Sequence, residues 1–283
     1  MSEKILDVQN LVVEYPGRGF RAKPFRVLHG VSVDVHEGEC VGLVGESGSG
    51  KTTIGRAVLG LAPVTGGKIL YRGQDIAHWS RSERRRLAGD IQVVFQDPYT
   101  SLNPSLTIEQ IIIEPLQVQK LPRNEALRRI RELFEVVRLP GNSGSRRPRE
   151  FSGGQRQRIA IARALALEPK LLICDEPVSA LDLSTQSRVL DLFLEIQERT
   201  HVAMLFISHD LEVVAHVSHR VAVIHRGEIV EFGEGEQVTR NPQHWYTKEL
   251  FLASPVADPD LQAQRRQERR ELAARTAQRM ASA

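Results

Sequence analysis

The segment Gly45-Glu46-Ser47-Gly48-Ser49-Gly50-Lys51-Thr52 constrains this 283-residue chain more than any other. It has the spacing G-x-x-x-x-G-K-[ST] and lies between an apolar run, Cys40 to Val44, and a helical stretch, Lys51 to Leu61. Between a strand and a helix, that spacing makes a phosphate-binding loop. Its glycines let the backbone wrap phosphate oxygens with N–H groups, and the helix start adds the positive end of its dipole. Lys51 is placed to reach the β- and γ-phosphates and Thr52 to ligate Mg²⁺, with Thr53 next in the same row of helix-start donors. The dinucleotide pattern G-x-G-x-x-G is not met, because Thr53 stands where its last glycine would fall.

The flanking sequence predicts an α/β fold. Cys40 to Val44 is apolar on both faces, as a central parallel strand should be. Leu171 to Cys174 and Ala203 to Ser208 are two more such strands, and the helical segment Ser184 to Arg199 between them predicts right-handed crossovers in one parallel sheet. Ile5 to Tyr15 and Val27 to Val35 alternate and are rich in valine, the pattern of half-buried antiparallel strands, with a Gly/Arg/Pro-rich loop, Pro16 to Pro24, between them. From Asp97 to Leu167 the texture turns helical, with 3.6-residue periodicity at Ile108 to Glu114 and Asn124 to Val137 and a polar break at Gly141 to Pro148. Short strand signals, Val221 to Ile224 and Glu228 to Phe232, flank the turn Arg226-Gly227. The expectation is a P-loop core with a mainly parallel sheet, an N-terminal antiparallel β subdomain and a helical subdomain inserted at about 97–167. That nucleotide-binding domain spans 1–258, and 259–283 is a basic helical tail.

Composition narrows the function. With 41% hydrophobic and 26% charged residues the chain can bury a sizeable core, and disorder, collagen and coiled coil fail as whole-chain descriptions. No apolar run nears the roughly 20 residues needed to cross a bilayer, so membrane work would need other chains to span it. Met1-Ser2-Glu3-Lys4 leads directly into an alternating stretch without a cleavable leader, which predicts a cytoplasmic location. The net charge of +3 sits in the tail, where Leu261 to Ala283 holds six arginines and two glutamates. With only 5% aromatic residues the body lacks the basic, aromatic-laced face of a specific nucleic-acid binder. Cys40 and Cys174 each lie in a strand-like run and are expected to be buried, reduced thiols.

A P-loop nucleotidase also needs an acidic residue at the end of a neighbouring strand. Leu171-Leu172-Ile173-Cys174-Asp175-Glu176 supplies it, with Asp175 as the Mg²⁺-side carboxylate. Glu176 is then the candidate to orient and polarise the attacking water. Adjacent strand residues point to opposite faces, so this assignment requires the strand to end at Asp175. A second phosphate-binding helix start follows Phe151: Ser152 has the form of an N-cap, Gly153 and Gly154 allow close backbone approach, and a helix runs from Gln155 to Leu167. One chain thus carries two such starts, either two separate sites or two halves of composite sites.

Phe151-Ser152-Gly153-Gly154-Gln155, followed by Arg156-Gln157-Arg158, resembles the signature motif of ATP-binding cassette (ABC) ATPases, with Phe151 where leucine is commoner. The resemblance extends from residue 1 to about 258 and implies the composite alternative, a head-to-tail dimer that sandwiches two ATP molecules. Other positions fall in the family order. Gln96 resembles the Q-loop glutamine that contacts Mg²⁺ and the attacking water and signals to membrane subunits. Ser179-Ala180-Leu181-Asp182 resembles the D-loop that crosses the dimer interface, and His209 the switch histidine at the γ-phosphate. Tyr15 resembles the A-loop aromatic that stacks on adenine. Val94 to Pro104 and Asn241 to Leu250 look most like the ATPases of oligopeptide, dipeptide and nickel importers, with Trp245 where proline is expected. No cysteine follows Cys174, so the C-terminal iron–sulfur cluster of some relatives has no ligands here.

The resemblance implies an ATP-hydrolysing, Mg²⁺-dependent subunit, peripheral on the cytoplasmic face of the inner membrane. It would pair with a second ABC ATPase as a homo- or heterodimer, bind two integral membrane permease subunits, and serve an extracytoplasmic solute-binding protein indirectly. The alternative is an ABC ATPase in a soluble, non-transport complex, which co-purification would distinguish. A metal-dependent phosphohydrolase built on His209-Asp210 lacks histidines at ligand spacing.

Overall fold

The computed structural model describes residues 3–17, 19, 23–254 and 262–270. The chain begins β1 (Lys4–Tyr15), β2 (Phe25–His36), β3 (Cys40–Val44), α1 (Lys51–Val58), β4 (Val64–Tyr71), β5 (Gln74–Asp75), α2 (Arg81–Arg84) and β6 (Ile91–Val94). A helical stretch follows: α3 (Pro98–Ser101), α4 (Ile108–Val118), α5 (Arg123–Val136) and α6 (Gly153–Leu165). The last part runs β7 (Leu171–Asp175), α7 (Leu183–Thr200), β8 (Ala203–Ser208), α8 (Leu211–Val217), β9 (Arg220–His225), β10 (Glu228–Glu234), α9 (Gly235–Arg240), α10 (Trp245–Ala253) and α11 (262–270).

Two sheets form. The first, in order β2-β1-β4-β5, is antiparallel throughout. The second has six strands in order β10-β9-β3-β8-β7-β6, parallel except for the β9–β10 hairpin. All five residues of β3 are buried because it is central and covered on both faces. The two-residue period of its strands splits their side chains between two cores. Val41, Leu43, Ile173, Leu205 and Ile207 join α1 and the antiparallel sheet. Cys40, Val44, Cys174, Met204 and Phe206 face α6, α7, α8 and the inserted helices, where Phe193 meets Phe206 edge to face at 5.4 Å.

Local chemistry explains most boundaries. Thr107 and Gln110 form a capping box at the start of α4, and Ser152 and Gln155 do the same for α6. Arg226 and Gly227 both have positive φ, the backbone a two-residue hairpin needs. The helix expected to begin at Gln155 begins two residues earlier, since its glycines already occupy the first turn. The helix expected to reach Leu61 stops at Val58, with Gly60 at φ 72° just beyond. β4 and β5 were not expected. Cys40 and Cys174 are buried free thiols, and burial raises the Cys40 thiol to about 12. The basic tail is represented by α11, which docks through Arg265: its guanidinium lies 4.5 Å from the Phe251 ring centroid and donates to the Ser254 carbonyl at 3.1 Å. The rest of the predicted tail, and Arg18 and Phe20 to Ala22 of the predicted N-terminal loop, lie outside the described residues.

Candidate active site

Parallel strands bring the predicted residues together at their carboxyl ends, the usual ligand-binding edge of an open α/β sheet. Four adjacent strands contribute: the glycine-rich loop follows β3, Gln96 follows β6, Glu176 follows β7 and His209 follows β8.

In the loop, Gly50 caps α1 with φ 109°, a conformation that side-chain-bearing residues rarely adopt. A Cβ on Gly45 would lie 2.2 Å from the Ile224 carbonyl oxygen, so only glycine fits there. Lys51 is 4% exposed and folds back over the loop, donating to the carbonyls of Gly45 at 2.7 Å and Glu46 at 2.8 Å. Its Nζ lies 3.9 Å from Glu176 Oε1. Burial lowers the Lys51 pKa, and the nearby carboxylates of Glu176, Asp175 and Glu46 oppose that shift. Ser47 and Gly48 form the exposed tip, and Thr53 follows Thr52 in the first turn of α1. Ser49 Oγ is buried without a hydrogen-bond partner, a hydroxyl available to a phosphate oxygen.

Thr52 donates its hydroxyl to Asp175 Oδ1 at 2.9 Å. Burial raises the Asp175 pKa; the Thr52 hydrogen bond opposes this and the Glu176 charge adds to it. Two hard oxygen donors beside a phosphate loop fit Mg²⁺, which is held by one or two protein oxygens plus substrate phosphates. Among the described residues no group of three or more His, Cys, Asp or Glu could hold a metal by itself.

β7 ends at Asp175, as the sequence argument required. Glu176 enters the left-handed region at φ 48° and donates its N–H to the Ile207 carbonyl at 2.9 Å. This break in strand alternation brings both acids to one site. Gln96 Nε2 donates to Glu176 Oε2 at 3.3 Å, and His209 Nδ1 lies 3.2 Å from the same oxygen. Gln96 and His209 therefore converge on the Glu176 carboxylate beside Lys51.

Ser152 to Gln155 form a separate place. Ser152 accepts the Gln155 N–H while Gln155 Oε1 accepts the Ser152 N–H, and both residues retain solvent access. Gly154 packs so closely on α7 that a Cβ would lie 2.3 Å from Thr185 Cγ2. Asp182 caps α7 by accepting from Thr185 N–H and the Ser184 hydroxyl, and these bonds lower its pKa to about 2. Tyr15 ends β1 opposite Phe25 and packs half-buried on the inter-sheet core. Ser152 and Asp182 thus sit at the starts of two helices, α6 and α7, that pack together through Gly154 and Thr185, while Tyr15 stands apart at the end of β1.

Sequence reasoning missed one partner of the loop. Glu46 donates its backbone N–H to the Tyr246 hydroxyl at 2.9 Å. Tyr246 lies in the stretch quoted for its family resemblance, but no local pattern links it to a residue 200 positions away.

A phosphate loop and an acid pair at the carboxyl edge of a parallel sheet define a P-loop nucleotide-binding protein. The family model described as ABC transporter matches residues 28–179, and the chain belongs to that family. It is 50% identical over 269 residues to the glutathione import ATP-binding protein GsiA of Escherichia coli O157:H7, covering 93% of this chain and 43% of that protein. It is 48% identical over 242 residues to the oligopeptide transport ATP-binding protein OppF of Salmonella typhimurium, covering 85% of this chain and 72% of that one. The chain thus spans less than half the length of the glutathione relative. Among solved structures, CbiO1 of Clostridium perfringens, part of the ABC transporter complex cbiONQ, superposes with a TM-score of 0.75 and 27% identity, covering 85% of this chain and 92% of that chain. The dimeric cassette MJ0796, in a post-hydrolysis state with ADP and Pi, gives a TM-score of 0.72 and 27% identity, covering 81% of this chain and 98% of that chain.

Proposed function

We propose that the chain is the ATP-hydrolysing subunit of an ABC importer for peptides or similar small solutes. The observation that carries this reading is the Glu176 carboxylate, held by Gln96 and His209 with Lys51 beside it. The relatives' names, glutathione import and oligopeptide transport, support the solute class and favour an importer over a soluble assembly.

Gly45 to Lys51 bind the ATP phosphates through backbone N–H groups and the Lys51 ammonium, with Ser49, Thr52 and Thr53 beside them. Tyr15 stacks on adenine. Thr52, Asp175 and Gln96 hold Mg²⁺, which when bound neutralises charge on the β- and γ-phosphates. Glu176 accepts a proton from the attacking water, while Gln96 and His209 fix its carboxylate and His209 reaches toward the γ-phosphate. Ser152, Gly153, Gly154, Gln155 and Asp182 serve the ATP bound by a second ABC ATPase, so two chains close around two nucleotides. The unit runs to about residue 258, its insertion near 97–167 moves with the partners, and the basic tail begins near 259.

The ATPase works with two integral membrane permease subunits, with an extracytoplasmic solute-binding protein acting indirectly and no specific nucleic acid. Among the described residues no helix is long and apolar enough to cross a membrane. The spanning is assigned to the permeases, and the relatives' names, import and transport ATP-binding proteins, support a place for this chain on the cytoplasmic face of the inner membrane. The test is affinity purification of detergent-solubilised Glu176→Gln protein trapped with ATP, followed by mass spectrometry. Co-purification of two multi-spanning proteins supports the importer. Recovery of soluble partners alone refutes it.

A further inference from the structure

The Gly45–Glu46 peptide is clamped at both of its polar ends. Its carbonyl, Gly45 O, accepts from Lys51 Nζ at 2.7 Å, and its N–H, on Glu46, donates to the Tyr246 hydroxyl at 2.9 Å. Rotating this one peptide unit would break both bonds and release the lysine from its carbonyl. Tyr246 itself is firmly seated. It is 1% exposed, and its ring lies against His225 at a centroid distance of 4.0 Å. The segment entering α10 is tied to β10, where the Glu231 carboxylate accepts the N–H groups of Gln243 at 2.8 Å and His244 at 3.0 Å. The β9–β10 turn holds the same loop from another side, with Gly227 donating its N–H to the Ser49 carbonyl at 2.9 Å.

We infer that Tyr246 is a positioning residue of the nucleotide site, orienting the Gly45–Glu46 peptide so that Lys51 is set for the ATP phosphates. The inference rests on the reading of the P-loop as the ATP site. It makes α10 part of that site although it contributes no atom to the ligand. Removing the hydroxyl takes this partner from the Glu46 N–H and lets the peptide sample orientations that misplace Lys51. Only the correctly oriented fraction then binds ATP, so apparent affinity falls by that fraction.

The test is Tyr246→Phe, which keeps the ring and its packing. Binding of a fluorescent ATP analogue with Mg²⁺ and steady-state ATPase kinetics are measured beside thermal unfolding. The Kd and the KM for ATP are expected to rise together by about 2- to 10-fold, the effect of one net hydrogen bond, with kcat unchanged. Unaltered Kd and KM overturn the inference, as does a lowered Tm with unchanged affinity, the mark of a packing role alone. If the variant does not fold, hydrogen exchange of the wild-type Glu46 amide decides. Protection without nucleotide supports the bond, and exchange at the rate of an exposed loop overturns it. A wild-type chain that binds no ATP refutes the ATP-site reading instead.

Discussion

The Thr52 hydroxyl and the Asp175 carboxylate meet at 2.9 Å, joining the start of α1 to the end of β7 across 123 residues. Because burial raises the Asp175 pKa, the folded chain holds this proton more tightly than the unfolded one. Its stabilising contribution is therefore present in acid, below the ordinary carboxylate value, and is lost as pH rises through the raised folded value. Above that raised value the nucleotide-free protein carries a costly ionised group. Asp175→Asn should raise the melting temperature of the nucleotide-free protein at neutral pH, with the gain fading on acidification, while Mg²⁺-dependent ATP binding is lost. Thermal unfolding across pH checks this, and a lower neutral-pH melting temperature would contradict it.

Glu176 is the point on which Gln96 and His209 converge. Glu176→Gln should slow turnover by roughly 10² to 10⁴, the range for losing a general base, with ATP binding intact. His209→Ala and Gln96→Ala each remove a hydrogen bond to a charged group and should cost about 10- to 100-fold in kcat. Single-turnover hydrolysis beside equilibrium nucleotide binding separates the two effects. Normal turnover in the glutamine variant would remove Glu176 from the chemistry.

Lys51 belongs to the loop after β3 and Ser152 to the cap of α6, and the proposed composite-site arrangement joins them only between chains. Lys51→Ala and Ser152→Ala proteins should each be inactive, yet mixing them should restore about a quarter of wild-type ATPase, from the one intact site in each mixed dimer. Where this chain pairs with itself, no recovery on mixing would place both residues of a working site in one chain.

Gly45 abuts the Ile224 carbonyl, whereas the position of a Cβ on Gly48 is open although its φ is 83°. Gly48→Ala should therefore cost only the left-handed strain of about 1–2 kcal/mol. Gly45→Ala must move backbone and should destabilise more, with loss of ATP binding. Denaturant unfolding of the two variants tests that order.

Local chemistry made much of this protein legible in its sequence. The loop from Gly45 to Thr52, the strand and helix around it, the Ser152 cap and the end of β7 at Asp175 all depend on residues a few positions apart. β4 was hidden because Thr65-Gly66-Gly67 reads as a turn. In the fold, Gly67 takes φ 81° against the Asn10 carbonyl, where the β1–β4 register shifts. The D-loop, Q-loop and switch residues carried little signal alone and were placed by their order in a family pattern.

Strand order decided the rest. Gln96, Glu176 and His209 are spread over more than 100 residues, and they meet only because β6, β7 and β8 lie side by side with their carboxyl ends aligned. The grip of Tyr246 on Glu46 depends on β9, β10 and α10 returning the chain to the loop that β3 began. Periodicity, caps and turns are short-range physics, and the sequence states them directly. Which strand ends become neighbours is set by packing two cores against one sheet, a long-range balance that only the assembled structure displays.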